Sequence, residues 1–195
     1  MHIPALPSAI GSDWKVDLKG KWTGPDGKPS PTFGGQLFSF TTVDLSSEFV
    51  FSRLCRNRLS IVAHLEALRV FVAAKQRALR VVCCDNEFVT AAISAWATLN
   101  FVQLPPSVPH EHNTVRKIER VHRTLQEMVV KFIPLEPHLS PRYWGMCYLH
   151  CVDLLNIGPS TAEASPYSLW HEKPFDFTRF PVLSFGSVTL VSCLA

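Results

Sequence analysis

The segment RVVCCD, residues 80–85, constrains the fold more than any other stretch. Four apolar side chains stand between an arginine and an aspartate, a run too short for a helix and suited to a strand buried on both faces. Helical periodicity flanks it. Over residues 58–79 the apolar positions Ile61, Leu65, Leu68 and Val72 recur at spacings of four, three and four, which predicts a helix. Residues 88–99, FVTAAISAWATL, are Ala-rich and read as a second helix. FVQLPP then reads as a short strand halted by two prolines. A buried strand set between helices joins its neighbours in parallel through right-handed crossovers.

The chain upstream has a different pattern. In DWKVDLKGKW, Trp14, Val16 and Leu18 alternate with Lys15, Asp17 and Lys19, the period of a strand. TGPDGKPSPTFGG is a turn-rich loop, and QLFSFTTVDLSSEFVFSRL reads as two strands joined by a turn at Asp44, Ser46 and Ser47. Downstream, residues 114–132 predict a helix with Thr114 as N-cap and a stripe of Ile118, Val121, Leu125, Met128 and Phe132, stopped by Pro134 and Pro137. A further helix runs through YWGMCYLHCVDLLN, and PVLSFGSVTLVSC has strand-like alternation. The expected class is α/β, a mixed five-stranded sheet flanked by helices. The expected division is a loose lead-in over 1–12, a core over 13–156, and a C-terminal extension over 157–195 with a short helix and strand.

At 195 residues, 47% hydrophobic and 18% charged, the chain is too apolar to be disordered and is sized for one domain. It has no apolar run of about 18 residues, so no membrane span is expected, and its start lacks the pattern of a signal peptide. None of the six cysteines forms a C-x-x-C pair, so free thiols are expected rather than a zinc ribbon. Trp96, Trp144 and Trp170 read as core or interface aromatics. No Gly-rich phosphate loop or G-x-S-x-G elbow is present. The net charge of +3 is modest but unevenly spread: residues 53–80 hold seven Lys or Arg against one acid, and 114–132 hold five against two. A segregated basic surface is compatible with DNA binding.

Three acids occupy unusual places. Asp17 lies within the first strand, Asp85 closes RVVCCD at its carboxyl end, and Glu119 opens a basic helix. An acid ending a buried strand must be solvated, paired or metal-bound, and ligands gather at such strand ends in open α/β sheets. Converging Asp and Glu oxygens suit Mg²⁺, and two such ions about 3.5–4 Å apart serve phosphoryl transfer. The other reading is three ordinary surface acids. Arg116, Lys117, Arg120 and Arg123 are either phosphate contacts or a solvated helix face with a Glu119–Arg123 pair. His110 and His112 form an H-x-H pattern without an evident third ligand.

From about Trp14 to Cys193 the sequence resembles the integrase catalytic core of copia-type LTR retrotransposons. WKVDLKGKW is similar to that family's first acidic strand, and FTTVDLSSEFVFSRL to the strand pair that follows, with a non-catalytic acid at Asp44. VVCCDNEF resembles the segment of the second catalytic acid. VPHEHNTVRKIERVHRTLQEM resembles the stretch ending in E-R-x-x-R-T-L. The Trp-Gly helix YWGMCYLHCVDLLN, the Pro-Tyr-x-x-Trp segment SPYSLWHEKP and the Phe-Gly strand VLSFGSVTLV follow in family order. The resemblance implies an RNase H-like fold and a polynucleotidyl transferase. It implies two Mg²⁺ (or Mn²⁺) ions held by Asp17, Asp85 and Glu119, and DNA contacts from Arg116, Lys117, Arg120 and Arg123. It further implies DNA ends and target DNA as partners, homo-oligomers, and an intracellular, nuclear site of action.

The sequence departs from the family at particular positions. Asp85-Asn86 runs straight into Glu87-Phe88, where the family has two more residues including a glycine, and Asp85 and Glu119 stand 34 residues apart. The usual Asn-Gly before the third acid is Val115-Arg116. The resemblance includes neither an upstream His/Cys zinc-binding module nor a C-terminal DNA-binding extension, the pattern expected of an excised or decayed piece of a polyprotein. The rival expectations are therefore a catalytically decayed remnant that keeps the fold and DNA binding, and an RNase H-like nuclease. Asp44 is the rival to Asp17 as first acid, but its place beside Leu45, Ser46 and Ser47 favours a local turn role.

Overall fold

The computed structural model describes residues 9–23, 28–85, 88–105, 112–135, 140–159, 164–182 and 185–186, with the side chains of 112–116 and 135 outside that description. Several features read from the sequence lie outside the described residues. They are the Asn86-Glu87 segment, His110, the side chains of His112 and Arg116, and the tail strand with Cys193.

Strand β1 (Asp13–Gly20) forms where Trp14 and Val16 alternate with polar residues. It pairs antiparallel with β2 (Phe38–Asp44), with Asp17 opposite Thr41. β2 pairs antiparallel with β3 (Val50–Cys55), with Thr41 opposite Ser52. The chain then enters α1 (Ile61–Ala73), crosses over, and returns as β4 (Val81–Cys83), parallel to β1 with Lys15 opposite Cys83. The sheet order is β3-β2-β1-β4. Three antiparallel strands followed by a parallel one after a helix is the mixed pattern expected from the sequence.

Among the described residues the sheet has four strands, not the five expected. FVQLPP contributes an isolated parallel bridge between Gln103 and Val81. Two backbone bonds carry it, Val82 N to Gln103 O at 2.9 Å and Gln103 N to Arg80 O at 2.7 Å. The left-handed backbone of Phe101 (φ 56°) opens the segment, and Pro105 has no N–H to continue a ladder. Pairing is thus confined to one residue.

Each helix shows how its ends are set. α1 buries the expected Ile61, Leu65, Leu68 and Val72, but it ends at Ala73 rather than 79, in a turn that carries left-handed Gln76 (φ 56°). Thr90 caps α2 (Ala91–Leu99) by accepting from Ile93 N. α3 (His112–Leu135) begins two residues before the expected cap, so Thr114 lies inside its first turn and Pro134 inside its last. α4 (Trp144–Ile157) and the short α5 (Pro166–His171) follow.

The sheet separates two apolar clusters. On one face Trp14, Val16, Phe40 and Val82 pack with α1, α2 and Trp170 of α5. On the other, Val43 and Val50 pack with Ile118, Leu125 and Val129 of α3 and with Trp144, Cys147, Tyr148 and Cys151 of α4. Trp96, Trp144 and Trp170 are all buried, the core role expected of them. Gly145 explains the Trp-Gly pair: a Cβ there would come within 2.6 Å of Leu54 and Thr32 side-chain carbons, so glycine lets α4 approach β3 closely. Cys55, Cys83, Cys84, Cys147 and Cys151 are free thiols.

The outer edge of β3 is closed by a side chain. Asn156 of α4 accepts from Val50 N and donates to Val50 O, both at 2.8 Å, so its amide stands in for a fifth strand at one residue. Replacing Asn156 with Ala strands two buried backbone groups. Chemical denaturation is expected to show a loss of about 2–3 kcal/mol. A change below about 0.5 kcal/mol, the size of an ordinary surface substitution, contradicts this role.

Candidate functional site

The alternation of β1 puts Lys15 and Asp17 on the same face, the one covered by α3 and α4. Polar residues on such a strand ordinarily face water. Here Lys15 is buried, with a side chain only 4% exposed. A buried ammonium needs a counter-charge, and Asp85 supplies it: Lys15 Nζ lies 3.3 Å from Asp85 Oδ1. Asp85 itself is 67% exposed, two residues past the end of β4. Lys15 pairs with Cys83 in register, and counting two residues on in each strand brings Asp17 level with Asp85.

Asp17 is half-buried. Its Oδ1 accepts from Leu18 N at 2.7 Å, and its Oδ2 lies 3.1 Å from His122 Nε2 of α3. Neither ring nitrogen of buried His122 has a well-aligned hydrogen bond among the described residues, so the contact is a close polar approach rather than a well-directed bond. Burial alone raises the pKa of Asp17, but His122, the Leu18 N–H and Lys19 outweigh it and hold the carboxyl below its ordinary value. Thr41, across from Asp17, shares hydrogen bonds with Ser52 at 3.1 Å and Tyr148 at 2.7 Å. A buried polar row therefore runs from β1 to β3 beneath α4.

Glu119 lies one turn before His122 on α3 and is exposed, as are Arg120 and Arg123. Among the described residues no ion pair joins Glu119 to Arg123. Lys117 is engaged elsewhere, 2.9 Å from Glu48 Oε1 and 3.3 Å from Leu45 O. Only the backbone of Arg116 is described.

Asp44 has the local role anticipated for it. It is fully buried. Oδ1 accepts from Gly11 N at 2.9 Å, and Oδ2 accepts from Ser47 N at 2.8 Å and Ser47 Oγ at 2.6 Å. These bonds hold the β2–β3 turn against the start of β1, and both carboxylate oxygens are committed.

Asp17 and Asp85 carry hard carboxylate oxygens of the kind that suit Mg²⁺ on adjacent parallel strands, and Glu119 stands exposed on α3. Among the described residues no three His, Cys, Asp or Glu side chains are grouped as a metal site. Lys15 sits on Asp85 and His122 on Asp17. Sequence reading passed over both Lys15 and His122. The signals for them were Lys15 sharing strand parity with Asp17, and His122 falling in the apolar stripe of α3 between Ile118 and Leu125.

A carboxyl whose pKa is depressed by folding stabilises the fold above its unfolded value, 3.8 for Asp17, and that contribution fades as pH falls below it. In chelator-treated protein, Asp17→Asn is expected to lower the melting temperature at pH 5–7, with the difference from wild type closing as pH falls below about 4. A difference that stays constant through that range contradicts the pairing.

No family model and no curated protein matches the chain. Solved structures do. One is a chain of the cryo-EM structure of the simian T-cell lymphotropic virus intasome in complex with PP2A regulatory subunit B56 gamma, with TM-score 0.66 and 14% identity; it covers 87% of this chain and 57% of that one. Another is the catalytic core domain of bovine immunodeficiency virus (BIV) integrase, with TM-score 0.57 and 12% identity, covering 83% of this chain and 95% of that one. The chain thus spans a little over half the length of the matched intasome chain. At such low identity the likeness is one of fold: this chain folds as a retroviral integrase catalytic core does.

Proposed function

We propose that the chain is the catalytic core of a copia-type retrotransposon integrase, a polynucleotidyl transferase that joins DNA ends to target DNA. The observation that carries this reading is the parallel pairing of β1 with β4 beneath α3. It sets the strand of Asp17 beside the strand that runs into Asp85, under the helix bearing Glu119, in an integrase-like fold. Asp17, Asp85 and Glu119 would hold two Mg²⁺ (or Mn²⁺) ions, which when bound help activate a hydroxyl nucleophile and stabilise the leaving oxygen.

The protein's own residues bind and orient the DNA. Arg120 and Arg123 project from α3 next to Glu119 and are free to meet phosphates beside the acids. Lys117 gives up its contact with Glu48 to do the same, and Arg116 extends the basic run. The proposed partners are the element's DNA ends, the target DNA and further copies of the chain, in the nucleus.

A second reading is a catalytically decayed remnant that retains the fold and DNA binding. Its specific support is the occupation of Asp85 by Lys15 and of Asp17 by His122.

Incubation with a duplex mimicking an LTR end and Mg²⁺ or Mn²⁺ separates the readings. Wild type is expected to give joined strands, and Asp85→Asn at least about 100-fold less product. No wild-type product with DNA binding intact, or equal product from Asp85→Asn, favours the remnant. Cleavage of an RNA–DNA hybrid without joining identifies a nuclease. For the basic surface, Arg120→Ala with Arg123→Ala is expected to weaken DNA binding and flatten the plot of log K against log salt by about 0.9 per lost phosphate contact. An unchanged slope removes these two residues from the interface.

A further inference from the structure

We infer that Lys15 is a tethered cation that competes with a divalent metal ion for Asp85, so that the protein carries its own antagonist of metal loading. The inference rests on the proposed assignment of Asp17 and Asp85 as metal ligands and adds to it a residue with the opposite effect.

The asymmetry of the pair argues for this role. Lys15 is the buried partner, and Asp85 is the exposed one, 67% accessible and able to be solvated without help. A surface ion pair between two mobile side chains contributes little. This pair instead joins an ammonium fixed in the sheet to a carboxylate at a strand end. The dependence runs mainly one way: Lys15 needs Asp85, while Asp85 can exchange Lys15 for another cation.

Geometry limits where Lys15 can act. It lies two residues before Asp17 on the same face of the same strand, opposite Cys83, and its stem runs toward the carboxyl ends of β1 and β4. Its ammonium reaches Asp85 Oδ1 at 3.3 Å, and a cation bound through that carboxylate would come close to Nζ. Like charges at such range repel strongly where water is partly excluded. Metal loading therefore requires the ammonium to swing away or to remain nearby at a cost in affinity.

The test is Mn²⁺ binding, followed by electron paramagnetic resonance of the free ion, in wild type, Lys15→Met, Lys15→Arg and Asp17→Asn. Methionine keeps the buried stem and removes the charge, and arginine keeps the charge. The expected result is binding about tenfold tighter in Lys15→Met, affinity near wild type in Lys15→Arg, and loss of binding in Asp17→Asn. Should Lys15→Met fail to fold, side-chain ¹⁵N resonances of wild-type Lys15 give the same answer. Diamagnetic Mg²⁺ is expected to shift the Lys15 Nζ signal as Asp85 changes partner. Binding that depends on Asp17 but is no tighter in Lys15→Met, or an unmoved Lys15 signal under saturating Mg²⁺, overturns the role of Lys15 and leaves the metal site standing. No Asp17-dependent binding in any variant overturns the site and this inference together.

Discussion

Charge on the covered face of β1 is the constraint around which this structure is arranged. β1 has neighbours on both edges and helices on both faces, so its polar side chains cannot turn to water as those of an edge strand would. Trp14 and Val16 must face α1 and α2, and strand parity then sends Lys15 and Asp17 under α3 and α4. Each has a local partner: Lys15 has Asp85, and Asp17 has His122 and the Leu18 N–H. Thr41, Ser52 and Tyr148 continue the polar row across the sheet from Asp17. A one-residue slip of β1 would bury the charges among Phe40 and Leu65 and drive Trp14 into the polar row under α3 and α4.

Two aspartates show how surroundings separate chemistry from architecture. Asp44 and Asp17 both sit on strands of the same sheet. Every oxygen of Asp44 is spent on Gly11 and Ser47, and it works as a clasp. Asp17 keeps a partly open carboxylate whose pKa His122, the Leu18 N–H and Lys19 hold below its ordinary value, the environment that its proposed metal role requires. The same distinction applies to Lys117, held by Glu48, and the exposed Arg120 and Arg123.

Most of the architecture was legible because period and punctuation agreed. The alternation in β1, the Asp44 turn, the α1 stripe and the short run into Asp85 each reported one environment. Legibility failed where tertiary contact outweighed local signal. FVQLPP has strand-like residues, but Pro105 and left-handed Phe101 leave it a single bridge. Thr114 is a good cap in isolation, yet α3 starts two residues earlier. The site was half legible. The acids stood out by position and by resemblance, while Lys15 and His122 passed as an ordinary strand polar residue and a helix histidine. Their role depends on strand parity and on the packing of α3 over β1, which sequence spacing does not report.

On the proposed function, Asp17 and Asp85 flank one metal position, and Lys15 occupies Asp85 when the metal is absent. Anomalous diffraction from crystals soaked in Mn²⁺ tests it most directly. The account predicts a manganese peak at about 2.1 Å from oxygens of both Asp17 and Asp85, with the Lys15 ammonium displaced from Asp85. A structure with Lys15 still on Asp85 under saturating Mn²⁺, and no peak between the two carboxylates, contradicts it.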